Sequence, residues 1–441
     1  MLKKLVAVLA VVSLSLSPIS QVNAAVKPGA TCTKAGNTAI ASGKTFTCIK
    51  SGKKLVWDKG VEINKTSTKG SPAVEQVSTP KSILSEAAIF SNLDSCRISD
   101  GDPALTNMTA GFPIPEGRIN LLSGAKIQII GVDFPDKKGG VKSPKDLYQE
   151  IATQTENFWT SQSSGNGKFQ WNWYPDWVNM PNPIKSYQLG GSFFEGKFNP
   201  PAYFNFAENI IAQTDKNIDF TGINFLILVF PQGISNDEIG TFVVHTQGSY
   251  RTNEGTIYNL IIAGGDYANY DTYIHEFGHA FGLTDIRDTL DLGNQKQDGM
   301  YFDVMNNYIY PELLAWHRFL LGFLLPSQVH CITNKDASTH WLTPVAQQSK
   351  NVKAVIIPLS STRALIVESR RALGYDYKLA DRNDLVGAVV YQLDTTIPYH
   401  RSPVWVIDIL KENQSVINNG YKITNIESGM FGDVIKVEVS R

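Results

Sequence analysis

Residues 275–285 of this chain read HEFGHAFGLTD, with histidines at positions 275 and 279. Residues four apart on an α-helix lie on one face, about one turn apart, so His275 and His279 can direct their imidazoles at a single ion. Imidazole nitrogen suits Zn²⁺, and a catalytic zinc ion needs three protein ligands and an open position for water. The spacing therefore predicts a zinc site on a helix.

Two acidic residues complete the pattern. Glu276 lies beside His275, where a carboxylate can take a proton from a metal-bound water and pass it to a leaving amine. Gly282 can end the helix, because glycine adopts the left-handed conformation at little cost. Asp285 then follows His275 by ten residues and is the predicted third ligand. Together with His275 and His279, the two acidic residues predict a peptide-bond hydrolase.

An exposed helix with two unrelated histidines and a salt-bridged Glu276 is the alternative. The neighbouring Ile274, Phe277 and Phe281 favour the metal site, because they supply an apolar face that would bury the helix.

A methionine follows the predicted helix at a spacing that bears on the type of zinc site. Met305 lies in the sequence DVMNN, twenty residues beyond Asp285. The HExxHxxGxxD spacing is a variant of the metzincin pattern, and metzincins place a methionine in a turn beneath the zinc. Met305 is therefore the expected apolar floor of the site. Tyr308 and Tyr310 are candidate donors to the oxyanion of the tetrahedral intermediate, with ordinary packing as the alternative for each.

Aspartates are concentrated between the helix and Met305, and some of them are candidate ligands for Ca²⁺, which prefers oxygen. No EF-hand pattern is present, so a solvated loop is the favoured interpretation of Asp285, Asp288, Asp291, Asp298 and Asp303. The other five histidines show no ligand-like spacing and are predicted to be structural.

The N-terminus has the features of a secretory signal. Lys3 and Lys4 precede an apolar stretch at residues 5–16, and the small residues around Ala24 suit a signal peptidase. We expect residues 1–24 to be removed and the protein to be secreted or attached to the cell surface. An uncleaved anchor is the alternative, but the apolar run is shorter than the roughly 20 residues that span a bilayer. We expect no membrane span after cleavage.

Net charge limits the partners. The 441 residues include 40 basic and 41 acidic side chains, so neither nucleic acid nor an anionic membrane is an expected partner. The expected partners are protein or peptide substrates, and we expect a monomer.

If the protein is exported, its four cysteines are expected to form two disulfides, because an oxidising compartment favours them. Cys32 and Cys48 are close in sequence and are predicted to pair, which leaves Cys96 with Cys331. Free buried thiols are the alternative, and a free Cys96 thiolate could block the metal.

The rest of the chain is predicted to be an α+β protein, and its composition indicates several parts. Residues 25–58 form a small two-cysteine module, and residues 59–85, rich in Lys, Ser, Thr and Pro, form a flexible linker. Residues 25–85 are either a pro-segment or a module for cell-surface association. Helices alternate with strands in residues 86–333, the predicted catalytic domain. Residues 334–441 are predicted to form a β-sandwich-like domain. A strand at 256–262 is either a substrate-pairing edge or an ordinary core strand.

Residues 124–395 resemble the immune inhibitor A family of secreted bacterial metallopeptidases. The resemblance includes the zinc stretch and the Met305 turn, together with VDFPD at 132–136, FW at 158–159, GKF at 167–169, WV at 177–178, AWHR at 315–318, LGFL at 321–324, VESR at 367–370 and GYD at 374–376. It implies a metzincin-like domain in which a twisted mixed sheet carries an active-site helix. It also implies His275, His279 and Asp285 as zinc ligands and Glu276 as base. The chain departs from the family after Asp285, where Ile-Arg-Asp replaces Leu-Tyr-Asp.

Three functions remain open at this point. The first is a secreted zinc endopeptidase acting on extracellular proteins. The second is a catalytically silent binding or adhesion protein on a peptidase fold, against which the intact Glu276 argues. The third is a zinc hydrolase of cell-wall peptides.

Overall fold

The computed structural model describes most of the chain beyond the N-terminal region, and the chain divides into two compact units, residues 1–76 and 77–441. The described residues are 27–32, 38–41, 44–59, 61–62, 79–81, 92–102, 107–190, 199–239, 243–244, 250–263, 269–287, 301–306, 311–398 and 401–440. The predicted signal peptide and most of the predicted linker lie outside them. Within these ranges, no helix combines the length and the hydropathy that crossing a membrane requires.

The first unit contains a small antiparallel sheet with β2 at its centre. Its strands are β1 (Thr38–Ala41), β2 (Lys44–Ser51), β3 (Lys54–Trp57) and β4 (Val61–Glu62). Gly52 has a φ of 62° in the tight turn between β2 and β3, a conformation that glycine adopts without strain. The predicted disulfide between Cys32 and Cys48 is confirmed, with 5.9 Å between the two Cα atoms.

The second unit begins with a layer of helices and strands. Its strands are β5 (Ala125–Asp133), β6 (Phe169–Asn179), β7 (Phe225–Val229), β8 (Val243–Val244), β9 (Tyr250–Arg251), β10 (Thr256–Ile257) and β11 (Leu260–Ala263). Its helices are α1 (Pro144–Gln162), α2 (Pro200–Thr214), α3 (Asn236–Ile239), α4 (Tyr270–Ala280) and α5 (Ala315–Leu320). The HEFGH residues lie on α4, as predicted.

The main sheet of this layer is mixed, with the strand order β6-β5-β7-β11-β8. The β5/β6, β5/β7 and β7/β11 pairs are parallel, whereas β8 pairs antiparallel with β11. Successive residues of β5 point to opposite faces: Ile129 packs in the core that contains α1 and α4, and Ile130 packs in the core that contains α2. Burial on both faces suits the apolar residues from Ile127 to Val132, which only Gln128 interrupts.

The predicted strand at 256–262 is two strands, β10 and β11. Strand β10 pairs with β9, and β11 lies between β7 and β8 in the main sheet. Because β11 has a neighbour on each side, it is the core strand of the two alternatives, and not a free edge.

The C-terminal part contains two further sheets. Its strands are β12 (Val329–Cys331), β13 (Ser338–Leu342), β14 (Ala354–Pro358), β15 (Arg363–Arg370), β16 (Gly387–Asp394), β17 (Val404–Leu410), β18 (Ser415–Asn418), β19 (Tyr421–Gly429) and β20 (Gly432–Val439). One sheet has the order β12-β14-β15-β16-β17 and the other β13-β20-β19-β18. The chain as a whole is therefore of the α+β class.

The first of these two sheets packs on both of its faces. Val367 of β15 contributes to a core shared with Ile435 of the second sheet. Ile366, the neighbouring residue, packs in the same core as Phe277 of α4. The predicted boundary at residue 333 falls within the second compact unit and stays a prediction.

A disulfide joins the two ends of the predicted catalytic domain. Cys96 pairs with Cys331 of β12, with a Cα–Cα distance of 5.8 Å, so the predicted connectivity is confirmed. A disulfide-bonded Cys96 offers no thiolate to a metal, which excludes the blocking role considered from the sequence.

Candidate metal centre

Helix α4 has well-defined ends. The side chain of Asn269 accepts a hydrogen bond of 3.1 Å from the Thr272 amide and so caps the helix N-terminus. At the other end, Gly282 has a φ of 103°, and its amide donates to the His279 carbonyl at 2.9 Å. The left-handed residue predicted at Gly282 therefore ends the helix and turns the chain towards Asp285.

One face of α4 is anchored in the apolar core. The Trp159 indole donates a 3.1 Å hydrogen bond to the Ile274 carbonyl and packs edge-on against Phe281, with 4.7 Å between ring centroids. The ring of Phe277 lies 4.8 Å from that of Phe225 on β7. His275, Glu276 and His279 are themselves buried. The alternative of an exposed helix does not fit this burial.

The three predicted ligands converge. Nε2 of His275 lies 3.1 Å from Oδ1 of Asp285, and Nε2 of His279 lies 3.9 Å from the same oxygen. One ligand atom from each residue falls within 4.8 Å of the other two. Among the residues that the structure describes, this is the one group of three His, Cys, Asp or Glu side chains that converges in this way.

The His275–Asp285 distance is close to the ligand separation around a tetrahedral ion, and the His279–Asp285 distance is longer. With bonds of about 2.0–2.1 Å, two ligands of a tetrahedral zinc are about 3.3 Å apart. The remaining ring nitrogens are also occupied: Nδ1 of His275 donates to the Val304 carbonyl and Nδ1 of His279 to the Leu283 carbonyl, each at 2.8 Å. A carbonyl only accepts, so each Nδ1 carries a proton, and the neutral form of each ring leaves Nε2 as the atom that can bind an ion.

The local charges also suit a cation. Burial lowers the pKa of His279 to about 4, which keeps that imidazole neutral at pH 7. Burial alone would raise the pKa of Asp285, but the facing His275 and His279 rings keep it well below its usual range. Burial alone would lower the pKa of His275, but the hydrogen bond and the charge of Asp285 raise it. Two imidazoles and one carboxylate are thus directed at the same point, a donor set that a divalent ion would bind.

Glu276 follows His275 on α4 and is buried. Burial raises the pKa of its carboxyl to about 7, with a smaller opposing effect from His275. A carboxyl that titrates near neutrality can both accept and return a proton.

The side chain of Met305 packs against α4 at Gly278. The turn that carries it is organised by Asp303, whose Oδ1 accepts the Met305 amide at 2.7 Å. The other carboxylate oxygen of Asp303 accepts from the Leu314 amide at 2.6 Å and from Nδ1 of His317 at 2.8 Å. His317 is thus structural, as predicted, but it acts within the turn that supports the candidate site.

Several neighbours of the site escaped sequence reasoning. Nε of Arg287 lies 3.8 Å from Oδ1 of Asp285, and the carbonyls of Leu283 and Val304 orient the histidines. Asp303 was the one residue that could have indicated the turn at Met305, because an aspartate in a turn commonly accepts a hydrogen bond from the amide two residues later.

Other predicted residues lie outside the described part of the chain. These are Tyr308 and Tyr310, the oxyanion candidates, and Asp288, Asp291 and Asp298 of the calcium hypothesis. Of that acidic group, Asp303 is fully buried and accepts hydrogen bonds from backbone amides and from His317, so the favoured interpretation as part of a solvated loop is wrong for this residue. No protein-family model matches this sequence, and no curated protein matches it.

Proposed function

We propose that the protein is a zinc-dependent endopeptidase in which His275, His279 and Asp285 bind the ion and Glu276 is the general base. The convergence of the two Nε2 atoms on Asp285 Oδ1, at 3.1 and 3.9 Å, carries this proposal. The hydrogen bonds from both Nδ1 atoms to carbonyls support it further, because metal-binding histidines usually donate their other ring N–H to such a group.

Zinc is the ion that this donor set favours. Two imidazoles and one carboxylate leave a fourth tetrahedral position open, as catalytic zinc sites do. When bound there, zinc would lower the pKa of a water molecule and polarise a peptide carbonyl.

The chain's own residues supply the proton transfers. Glu276, with a pKa raised to about 7 by burial, accepts a proton from the attacking water and delivers it to the leaving amine. The Val304 and Leu283 carbonyls fix the tautomers of His275 and His279 throughout. Met305 packs against α4 from below and excludes water from that side.

The finer fold assignment belongs to the same proposal. We propose a metzincin-like catalytic domain followed by a β-sandwich-like domain. A mixed sheet whose strand β11 precedes the ligand-bearing helix, and a methionine turn packed under that helix, support the first part. A core shared by the two C-terminal sheets supports the second. The two disulfides favour an extracellular location.

Replacement of Glu276 by Gln tests the mechanism. The variant keeps the shape of the side chain but cannot act as a base, so we expect it to bind zinc as the wild type does. Casein hydrolysis should fall by about 10²–10⁴-fold. E150Q, which changes an exposed glutamate of α1, is the matched control and should keep full activity. Undiminished hydrolysis by E276Q would refute the assigned role.

The same preparations separate the competing functions. A zinc hydrolase of cell-wall peptides would cleave peptidoglycan fragments faster than casein. A silent adhesion protein would cleave neither, even with zinc bound.

A further inference from the structure

Two irregular turns complete the candidate metal centre, and they support each other only in part. One carries Asp285 and the other Met305. The Ile286 amide donates to the Met305 carbonyl at 3.2 Å, and the Asn306 side chain donates to the Ile286 carbonyl at 2.9 Å. Neither turn belongs to a helix or a strand, so their geometry depends on what packs around them.

The C-terminal sheet contacts the Met305 turn through Arg370, the last residue of β15. Its Nη2 donates to the Phe302 carbonyl at 2.7 Å and to the Leu313 carbonyl at 3.0 Å. Arg370 is fully buried, and its guanidinium is fixed by Glu368 at 2.6 Å and Asp376 at 2.9 Å. A planar group with several fixed donors orients the carbonyls it binds.

The same sheet contacts the Asp285 turn through Ser402, which lies just before β17. Its Oγ is 2.6 Å from the Ile286 carbonyl oxygen and 2.7 Å from that of Val404. Ile286 directly follows the predicted third ligand. A change in the direction of its carbonyl would therefore alter the backbone from which the Asp285 carboxylate projects.

We propose that the C-terminal sheet holds the metal centre in its binding geometry, with Ser402 as the positioning residue for Asp285 and Arg370 as the positioning residue for Met305. This inference rests on the proposed metal site. Both residues act through the backbone of the two turns, and neither is a ligand. Arg370 at the end of β15 and Ser402 just before β17 thus each hold one of the two turns.

Ser402→Ala tests the inference with little risk to folding. We expect its zinc dissociation constant to rise on the order of tenfold, because loss of an outer partner of a metal ligand commonly costs that much. In the cobalt-substituted protein, the visible absorption bands should shift, since they report ligand geometry directly. Ser402→Thr keeps the hydroxyl and should restore both values.

Thr395→Val is the matched control. Thr395 also joins this sheet to an earlier segment by a hydroxyl, which donates to the Ser99 carbonyl at 2.6 Å, but it contacts neither turn. We expect T395V to lower the melting temperature about as much as S402A does, with unchanged zinc affinity and cobalt spectrum. Equal effects of both variants on zinc affinity would show a general loss of stability and overturn the inference.

Arg370→Lys is the second variant. Lysine keeps the charge between Glu368 and Asp376 but not the planar fork, so weaker zinc binding of the folded variant is expected. If S402A and R370K fold and both bind zinc as tightly as the wild type, the inference is overturned while the proposed function stands. A wild-type chain that binds no zinc would instead overturn the proposed function.

Discussion

Gly278 and Met305 are packed so closely that no side chain fits at position 278. A Cβ atom built on Gly278 would lie 2.2 Å from Sδ of Met305 and 3.1 Å from its Cε. Met305 is fully buried, so its side chain has little room to move away. The glycine in the HEFGH sequence is thus explained by the methionine that follows 27 residues later.

The first prediction is that Gly278→Ala destabilises the protein. Overpacking of a filled core costs about 1–3 kcal/mol, and chemical denaturation measures that loss. Gly255→Ala is the control, because nothing lies within 4 Å of a Cβ at that position. It should change the free energy of unfolding by less than about 0.5 kcal/mol. An unfolding free energy for G278A equal to that of G255A would contradict the close packing of α4 on Met305.

The second prediction concerns Met305 itself. Met305→Ala leaves a cavity under α4 and should cost about 2–5 kcal/mol. Met305→Leu keeps the volume and should cost less than about 1.5 kcal/mol. Leucine has no sulfur, so M305L should also bind zinc, because the methionine is a floor and not a ligand. Loss of zinc from well-folded M305L would refute that role.

The third prediction is a loss of stability in acid that originates in a pair of histidines on β12 and β13. Nδ1 of His330 and Nδ1 of His340 are 2.9 Å apart, so one must donate and the other accept. Burial lowers the pKa of His330 to about 4 and that of His340 to about 3. The ordinary histidine value of 6.5 applies to the unfolded chain, which therefore binds more protons between pH 6.5 and pH 3.

This difference in proton binding sets the direction in which stability changes with pH. The stabilising contribution of the neutral pair is complete above pH 6.5 and falls progressively as the pH is lowered towards 3. His330→Gln should make the unfolding free energy less dependent on pH in this window, as measured by urea denaturation at several pH values. An unchanged slope would show that the pair does not contribute.

Local patterns in the sequence predicted the parts of the site that depend on local geometry. The i, i+4 spacing of His275 and His279 and the helix end at Gly282 follow from backbone rules that act over a few residues. Met305 was expected from the metzincin pattern and not from local geometry. Cysteine pairing succeeded because Cys32 and Cys48 are close in sequence and only two other cysteines remained.

Contacts between distant segments could not be predicted in this way. Ser402 meets Ile286 across 116 positions, and Arg370 meets Phe302 across 68. A hydrophobic pattern identifies β15 and β17 as strands but does not specify which turn their ends will meet. The choice between an edge and a core position for β11 stayed open for the same reason, because it depends on pairing with the two-residue strand β8.

Zinc stoichiometry of the purified chain and of Asp285→Asn shows whether His275, His279 and Asp285 bind the ion. The asparagine keeps the shape but removes the charge that attracts a divalent ion, and D336N, at an exposed loop position, is the control. Mass spectrometry of the metal content should give one zinc per chain for the wild type and D336N, and less than a tenth of that for D285N. A wild-type chain without zinc, or a D285N variant that keeps a full equivalent, would contradict the account.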